Sequence, residues 1–141
     1  MSAEIRIPLS SPDVTDADRA LVLETLQTPY LSLGPRVREF EERFAAFAGA
    51  KHAVAGNSGT SALPLCVWAL GIGEGDLVVT SPFSFVASAN CLLFERARPV
   101  FVDIDPKTLN IDVGKLAEKV REIGGRGGSG AGRLKALLPV H

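Results

Sequence analysis

The sequence predicts an α/β fold with three layers, in which a mostly parallel sheet has helices on both faces. Three observations support this prediction: short strands alternate with helices from residue 52 onward, the strands are apolar on both faces, and polar turns follow them. Strands that are apolar on both sides are typical of parallel sheets. Ligands of such sheets bind at the carboxyl ends of the strands, so functional residues are expected in the polar turns.

The composition is ordinary for a soluble globular protein. The 141 residues are 46% hydrophobic and 22% charged, with a net charge of −1, which gives no reason to expect nucleic acid or an anionic membrane as partner. No apolar window is long enough to span a bilayer, and the N-terminus lacks the apolar core of a signal peptide, so a cytoplasmic protein is expected. Cys66 and Cys91 lie in apolar helical surroundings, which predicts reduced, buried thiols and no zinc site.

Two helices are predicted in the N-terminal part. Thr15 and Asp18 have the spacing of a capping box, which predicts a helix that runs to about Leu26. Pro35 suits the first turn of a second, amphipathic helix, and Gly49 suits its end.

The segments around the first helix are predicted to be irregular or extended. Apolar and polar residues alternate over residues 1–12, which predicts a short strand or arm. Residues 29–34 form a loop between the two helices that contains Tyr30 and several apolar residues, an unusual composition for a linker. Hydrophobic packing of this loop is one interpretation, and a binding role is the other.

A small, polar, glycine-rich turn covers residues 56–61. It follows a predicted strand at 52–55 and precedes a predicted helix at 60–70. Because a helix start presents unpaired N–H groups and the positive end of the helix dipole, this turn is a candidate phosphate site. The alternative is that Asn57 or Ser58 simply caps the helix.

The rest of the chain continues the alternation. Strands are predicted at 77–80, 99–103 and 134–140, and helices at 84–95 and 112–123. The polar turns at 56–61, 81–85 and 103–105 would then share one edge of the sheet, which favours a single site there. The composition of the glycine-rich segment 124–132 predicts a flexible surface loop. It is not a phosphate loop, since no Gly-Lys-Ser/Thr sequence opens a helix after it.

Eight segments then match one family in collinear order. They are Gly34-Pro35 with Phe40-Glu41, GAKHAV at 49–54, NSGTSAL at 57–63, GIGEGD at 71–76, PFSFVASAN at 82–90, PVFVDID at 99–105, LNID at 109–112 and LPVH at 138–141. Together these segments resemble the DegT/DnrJ/StrS family of PLP-dependent sugar aminotransferases.

The resemblance implies a fold type I aminotransferase architecture, which divides the chain in two. Residues 1–34 would form an N-terminal arm, a helix and a substrate-side loop, and residues 35–141 an incomplete large PLP-binding domain. Members of the family transfer an amino group, usually from glutamate, to a keto group on a nucleotide-linked sugar. A homodimer is also implied, since the active site of the family lies between two subunits.

The resemblance assigns cofactor-binding residues as well. The amides of Gly59, Thr60 and Ser61 would hold the phosphate of pyridoxal 5'-phosphate (PLP), and the Phe85 ring would stack on the pyridine. From the residues alone, Phe85 also suits a hydrophobic core. Pro64 departs from the expected pattern, because it cannot donate a hydrogen bond inside the helix and is expected to affect the helix axis.

Tyr30 and Ser32 occupy the positions at which the N-terminal loop of the family approaches the sugar. The Schiff-base lysine and the carboxylate that faces the pyridine nitrogen lie in the family beyond the segment that His141 begins. The lysines here match no Schiff-base motif, so the isolated chain is expected not to transaminate. They are Lys51, Lys107, Lys115, Lys119 and Lys135.

Alternatives to the aminotransferase remain. Asp103-Ile104-Asp105 resembles the metal-binding Asp-x-Asp of nucleotide-sugar glycosyltransferases, although a polar strand end explains it too. The chain could instead be a non-catalytic phosphate-binding or dimerisation module. A hydrolase is disfavoured, since the turn lacks the glycine two places after Ser58. Within the family, some relatives use the same cofactor site for a dehydration.

Overall fold

The computed structural model describes residues 10–125 and 132–140. The chain forms two compact units, Met1–Ala55 and Gly56–His141. Most of the predicted arm at 1–12, most of the glycine-rich loop at 124–132, and His141 lie outside the described residues.

The first unit contains the two predicted helices. Helix α1 is Asp16–Leu26, and its predicted capping box is confirmed: the Asp18 amide donates to Thr15 Oγ1 over 3.3 Å, and the Thr15 amide donates to Asp18 Oδ2 over 2.7 Å. Helix α2 is Pro35–Ala48, and it ends where Gly49 adopts a left-handed conformation with φ of 65°. Both helix starts and the α2 end therefore follow from local chemistry.

The predicted strand at 52–55 is wrong. This segment is irregular, and no strand among the described residues pairs with it. The Ala55 amide instead donates to Glu41 Oε1 of α2 over 2.8 Å, and Val54 is 85% exposed. An apolar run forms a strand only when a neighbouring strand accepts its hydrogen bonds, and here a side chain takes one of those bonds.

The second unit has the predicted alternation of helices and parallel strands. Its elements are α3 (Gly59–Ala69), β1 (Asp76–Thr80), α4 (Ala87–Phe94), β2 (Arg98–Phe101), α5 (Val113–Gly125) and β3 (Arg133–Leu138). The three strands are parallel, in the order β2-β1-β3. The α/β class is thereby confirmed, and α5 extends over the first two glycines of the segment predicted as a loop.

The central strand β1 is buried on both faces. Val78 belongs to a core cluster with Val67 of α3 and Leu92 of α4, while Leu77 and Val79, which point to the other face, are 3% and 0% exposed. Helix α5 packs against β3. A parallel sheet that is covered in this way explains the continuous apolar character of β1.

The two cysteines differ, and one prediction fails. Cys91 is buried in the core as predicted, but Cys66 is exposed. Helix α3 contacts the core through Leu63 and Val67, and Cys66 lies outside that stripe. None of the helices in the described part of the chain is long and apolar enough to cross a membrane.

Candidate functional site

The predicted phosphate turn leads directly into α3, and Ser58 caps this helix. Ser58 has an extended backbone with φ of −164° and ψ of 159°, and its Oγ accepts a hydrogen bond from the Ser61 amide over 3.1 Å. Its carbonyl accepts from the Ala62 amide over 3.0 Å. Capping by Ser58 was one of the two interpretations of this turn, and it is present.

The cap leaves two amides of the first turn for a ligand. Within the described residues, the amides of Gly59 and Thr60 have no acceptor, and both residues are exposed. A Cβ built on Gly59 would have no heavy atom within 4 Å, so the space beside these amides is open. Two unpaired N–H groups at the positive end of a helix dipole fit a phosphate.

The Ser61 backbone amide has an acceptor within the protein. It already donates to Ser58 Oγ, and the Ser58 hydroxyl lies 3.1 Å from Ser61 Oγ with the geometry of a donor to it. A hydroxyl that accepts one hydrogen bond keeps its own hydrogen for another acceptor. In the free protein, the hydroxyl of Ser61 is therefore better placed than its amide to bind an anion.

Pro64 lies inside α3, which nevertheless continues to Ala69. In a regular helix the residue at position 64 would donate its N–H to the Thr60 carbonyl, and Pro64 has no N–H. The proline therefore leaves the Thr60 carbonyl without this hydrogen bond. The Gly59 and Thr60 amides point the other way along the helix, and the proline takes no donor from them.

Phe85 lies in the turn between β1 and α4, and 72% of it is exposed. Side chains hold this turn in place: Ser81 Oγ accepts from the Phe83 amide over 3.2 Å, and the hydroxyls of Ser84 and Ser88 lie 2.8 Å apart. Ser84 and Phe85 were predicted as helix but belong to this turn, and α4 begins at Ala87 rather than at residue 84. The interpretation of Phe85 as a core residue is wrong, and the ring is free to contact a ligand.

Gly59 and Phe85 both lie at the carboxyl edge of the sheet. Helix α3 leads into the start of β1, α4 follows its end, and the two helices share a core cluster through Val67 and Leu92. Both helices therefore run opposite to β1 and begin at the edge where β1 ends. This is the edge at which parallel sheets bind ligands.

Tyr30 and Ser32 lie in the first unit, in the connection between α1 and α2. Both are exposed, Tyr30 to 64%, and the Tyr30 amide donates to Thr28 Oγ1 over 3.3 Å. Hydrophobic packing of Tyr30 within this loop is therefore not observed. Their role in binding the sugar stays a prediction.

Comparison with known proteins identifies the family. The sequence model of the DegT/DnrJ/EryC1/StrS aminotransferase family matches residues 12–141. The chain belongs to this family. The spore coat polysaccharide biosynthesis protein SpsC of Bacillus subtilis is 48% identical to it over 96% of the chain and 32% of the relative. GDP-perosamine synthase of Caulobacter vibrioides is 40% identical over 100% of the chain and 36% of the relative.

Solved structures of the DegT/DnrJ/EryC1/StrS family share the fold. The PMP form of the sugar aminotransferase Spr1654 from Streptococcus pneumoniae superposes with a TM-score of 0.79 at 30% identity, covering 95% of this chain and 31% of its own. A family aminotransferase from Brucella abortus gives a TM-score of 0.78 at 32% identity, covering 86% of this chain and 32% of its own. The chain thus spans about a third of the length of these relatives.

The Asp103 and Asp105 carboxylates, candidates for a glycosyltransferase metal site, accept hydrogen bonds from nearby backbone amides and from Lys115 of α5. Asp103 Oδ1 accepts from the Ile104 amide over 2.9 Å and Oδ2 from Lys115 Nζ over 3.2 Å, and these contacts hold the pKa of Asp103 below its usual range. Asp105 Oδ1 accepts from the Lys107 amide over 2.7 Å. Across residues 10–125 and 132–140, no three His, Cys, Asp or Glu side chains could hold a metal ion. These contacts favour a polar strand end, in agreement with membership of the aminotransferase family.

The five lysines of this family member lie at the protein surface. Lys115 Nζ pairs with Asp103, and Lys119 Nζ lies 2.6 Å from Glu122 Oε2. The other three, Lys51, Lys107 and Lys135, are exposed. A lysine that forms a Schiff base needs a site sheltered from water, and these surface positions do not provide one.

Proposed function

We propose that the chain is the N-terminal part of a PLP-dependent aminotransferase that acts on a nucleotide-linked keto-sugar, with glutamate as the amino donor. Family membership supports the reaction class. The names of two relatives, a GDP-perosamine synthase and a UDP-2-acetamido-2-deoxy-3-oxo-D-glucuronate aminotransferase, support a sugar joined to a nucleotide. The spore coat relative agrees with a role in polysaccharide biosynthesis.

The start of α3 carries the proposal. The free amides of Gly59 and Thr60, with the Thr60 and Ser61 hydroxyls beside them, would bind the phosphate of the cofactor, and the open space at Gly59 admits it. The exposed Phe85 ring would stack on the pyridine, which is worth about 0.5 to 1.5 kcal/mol beyond area burial. PLP, when bound, supplies the electron-withdrawing ring that amino transfer requires.

We further propose that the isolated chain binds the cofactor without transaminating. The Tyr30 and Ser32 side chains would contribute to the sugar site, and two copies of the whole protein would form the active enzyme.

None of the five lysines of the isolated chain has the sequence or the surroundings of a Schiff-base lysine. Turnover of glutamate with PLP by the isolated chain, above a control with free PLP, would contradict this part.

The phosphate site is tested by comparing PLP with pyridoxal, which lacks the phosphate. Binding is followed through the fluorescence of Trp68, the single tryptophan of the chain. We expect PLP to bind more tightly than pyridoxal, and inorganic phosphate to compete with PLP. Equal binding of PLP and pyridoxal would refute the site.

A substitution at Gly59 isolates one amide. Proline is favoured at the first position of a helix, and the extended Ser58 backbone suits the residue before a proline, so Gly59→Pro removes one N–H with little disturbance of α3. A hydrogen bond to a charged group contributes about 1.5 to 3 kcal/mol, so PLP should bind roughly tenfold or more weakly. Gly59→Ala, which keeps the amide, is the matched control. Equal affinities of the two variants would exclude a role for this amide.

A further inference from the structure

An ion pair crosses the base of the Tyr30 loop. Arg36, at the start of α2, places Nη2 2.6 Å from Glu24 Oε1 of α1 and Nη1 2.7 Å from Glu39 Oε2. Glu39 Oε1 in turn lies 2.6 Å from Arg43 Nη2. Arg36 thus joins the last turn of α1 to the first turn of α2, on either side of residues 27–34.

The loop that this ion pair spans also folds back on itself. A Cβ on Gly34 would lie 2.7 Å from the Tyr30 carbonyl oxygen and 3.1 Å from Tyr30 Cβ, so the backbone at 34 passes directly beside Tyr30. Leu33 adopts a left-handed conformation with φ of 52°, which is unfavourable for a side chain of its size. Unfavourable backbone of this kind persists where the surrounding contacts hold it, and it occurs often at binding sites.

The loop presents apolar groups to solvent rather than packing them away. Tyr30 and Leu31 are each 64% exposed, and Leu33 is 92% exposed. The side chains of Arg36 and Glu24 are 39% and 63% exposed, and an ion pair with this much contact with water contributes little to stability. The Arg36 pairs are therefore better explained by the orientation that they impose on the two helix ends. A tyrosine in a loop held in this way can contact a ligand through its apolar ring and its polar hydroxyl. Little conformational entropy is lost on binding, because the loop is already ordered.

We propose that Arg36 is a positioning residue, which holds the α1–α2 connection in the conformation that places the Tyr30 ring against the nucleotide-linked sugar. This inference rests on the proposed function. Arg36 does not contact the substrate in this proposal; it acts through its ion pair with Glu24 and through the loop. Gly34 has no side chain, which allows the backbone at 34 to pass close to Tyr30.

The composition of the chain makes a direct test possible. Tyr30 is its only tyrosine, so labelling with 3-fluorotyrosine gives a single ¹⁹F resonance that reports on this loop. The labelled wild type, Arg36→Gln and Arg36→Lys are compared, with UDP-glucose and GDP-mannose as separate probes. Arg38→Gln is the matched control, because Arg38 also pairs with a glutamate of α2, Glu42 at 2.9 Å, but makes no ion pair with α1.

We expect Arg36→Gln to shift or broaden the Tyr30 resonance and Arg38→Gln to leave it unchanged. Circular dichroism should show the same helix content in both variants and the wild type. We also expect at least one nucleotide-sugar to shift the wild-type resonance saturably, with about fivefold weaker binding to Arg36→Gln. Arg36→Lys should restore part of this affinity. If the two glutamine variants behave alike, Arg36 does not position the loop.

If neither nucleotide-sugar moves the wild-type resonance, Tyr30 does not contact the substrate and the inference is overturned. That outcome is distinguishable from failure of the proposed function, because PLP binding is measured separately through Trp68 and the Gly59 variants.

Discussion

The Ser58 side chain accepts a hydrogen bond from the Ser61 backbone amide, with 3.1 Å between Oγ and N. This contact satisfies one of the donors at the start of α3 from within the protein and leaves two for a ligand. The same serine therefore stabilises the helix start and limits how many amides the phosphate can use.

Replacement of Ser58 by alanine should separate these two effects. Loss of the cap should lower the free energy of unfolding by about 1 kcal/mol, measured in urea through Trp68 of α3. The Ser61 amide keeps its second acceptor, the Ser58 carbonyl at 3.2 Å, and the Gly59 and Thr60 amides are unchanged, so PLP affinity should not fall. Ser11→Ala, at an exposed position outside the helices, is the control. A loss of PLP binding without a loss of stability would show that Ser58 binds the phosphate itself.

Gly132 is required by its contact with Gly75, and its substitution should destabilise the sheet. A Cβ at position 132 would lie far inside van der Waals contact with the Gly75 carbonyl oxygen and 3.2 Å from Leu77 Cγ. We expect Gly132→Ala to cost about 1 to 3 kcal/mol of unfolding free energy, as overpacking does elsewhere. Gly124→Ala, where a Cβ meets nothing within 4 Å, is the matched control. Equal stability of the two variants would contradict this explanation.

Local chemistry predicted much of this fold. The Thr15 and Asp18 capping box, Pro35 at a helix start and Gly49 at a helix end depend on neighbours within four residues, so the sequence contains all that determines them. The parallel sheet was predictable too, because the centre of β1, Leu77 to Val79, is apolar on both faces of the strand.

What the sequence could not predict depends on partners far along the chain. Residues 52–55 have the composition of a strand, but in the described structure the Ala55 amide bonds to Glu41. The exposure of Phe85 and the ion pair between Arg36 and Glu24 are likewise tertiary features. For Gly132, glycine-rich composition indicated only flexibility and concealed a close backbone contact.

The two thiols should differ in reactivity. Burial raises the pKa of Cys91, whose Sγ donates to the Ser88 carbonyl over 3.3 Å, whereas Cys66 is exposed. Because the thiolate is the reactive form, a disulfide reagent at mildly alkaline pH should modify Cys66 quickly and Cys91 only after unfolding. Cys66→Ser should abolish the fast phase, and Cys91→Ser should keep it. Two thiols that react equally fast in the folded chain would rule out this difference.

The cap of α1 should weaken in acid. Hydrogen bonds from the Thr15 side chain and then its backbone amide lower the pKa of Asp18 below 3.8. Because the folded-state pKa lies below that of the unfolded chain, the contribution of Asp18 to stability is complete above the unfolded value. It is lost as the pH falls through the folded value. An NMR titration should find the Asp18 carboxyl midpoint below 3.8, with the Thr15 amide resonance moving at the same pH. In the control variant Asp18→Asn, the pH-dependent shift of the Thr15 amide resonance should disappear. An Asp18 titration midpoint at or above 3.8 in the unsubstituted chain would show that the capping box does not stabilise the carboxylate.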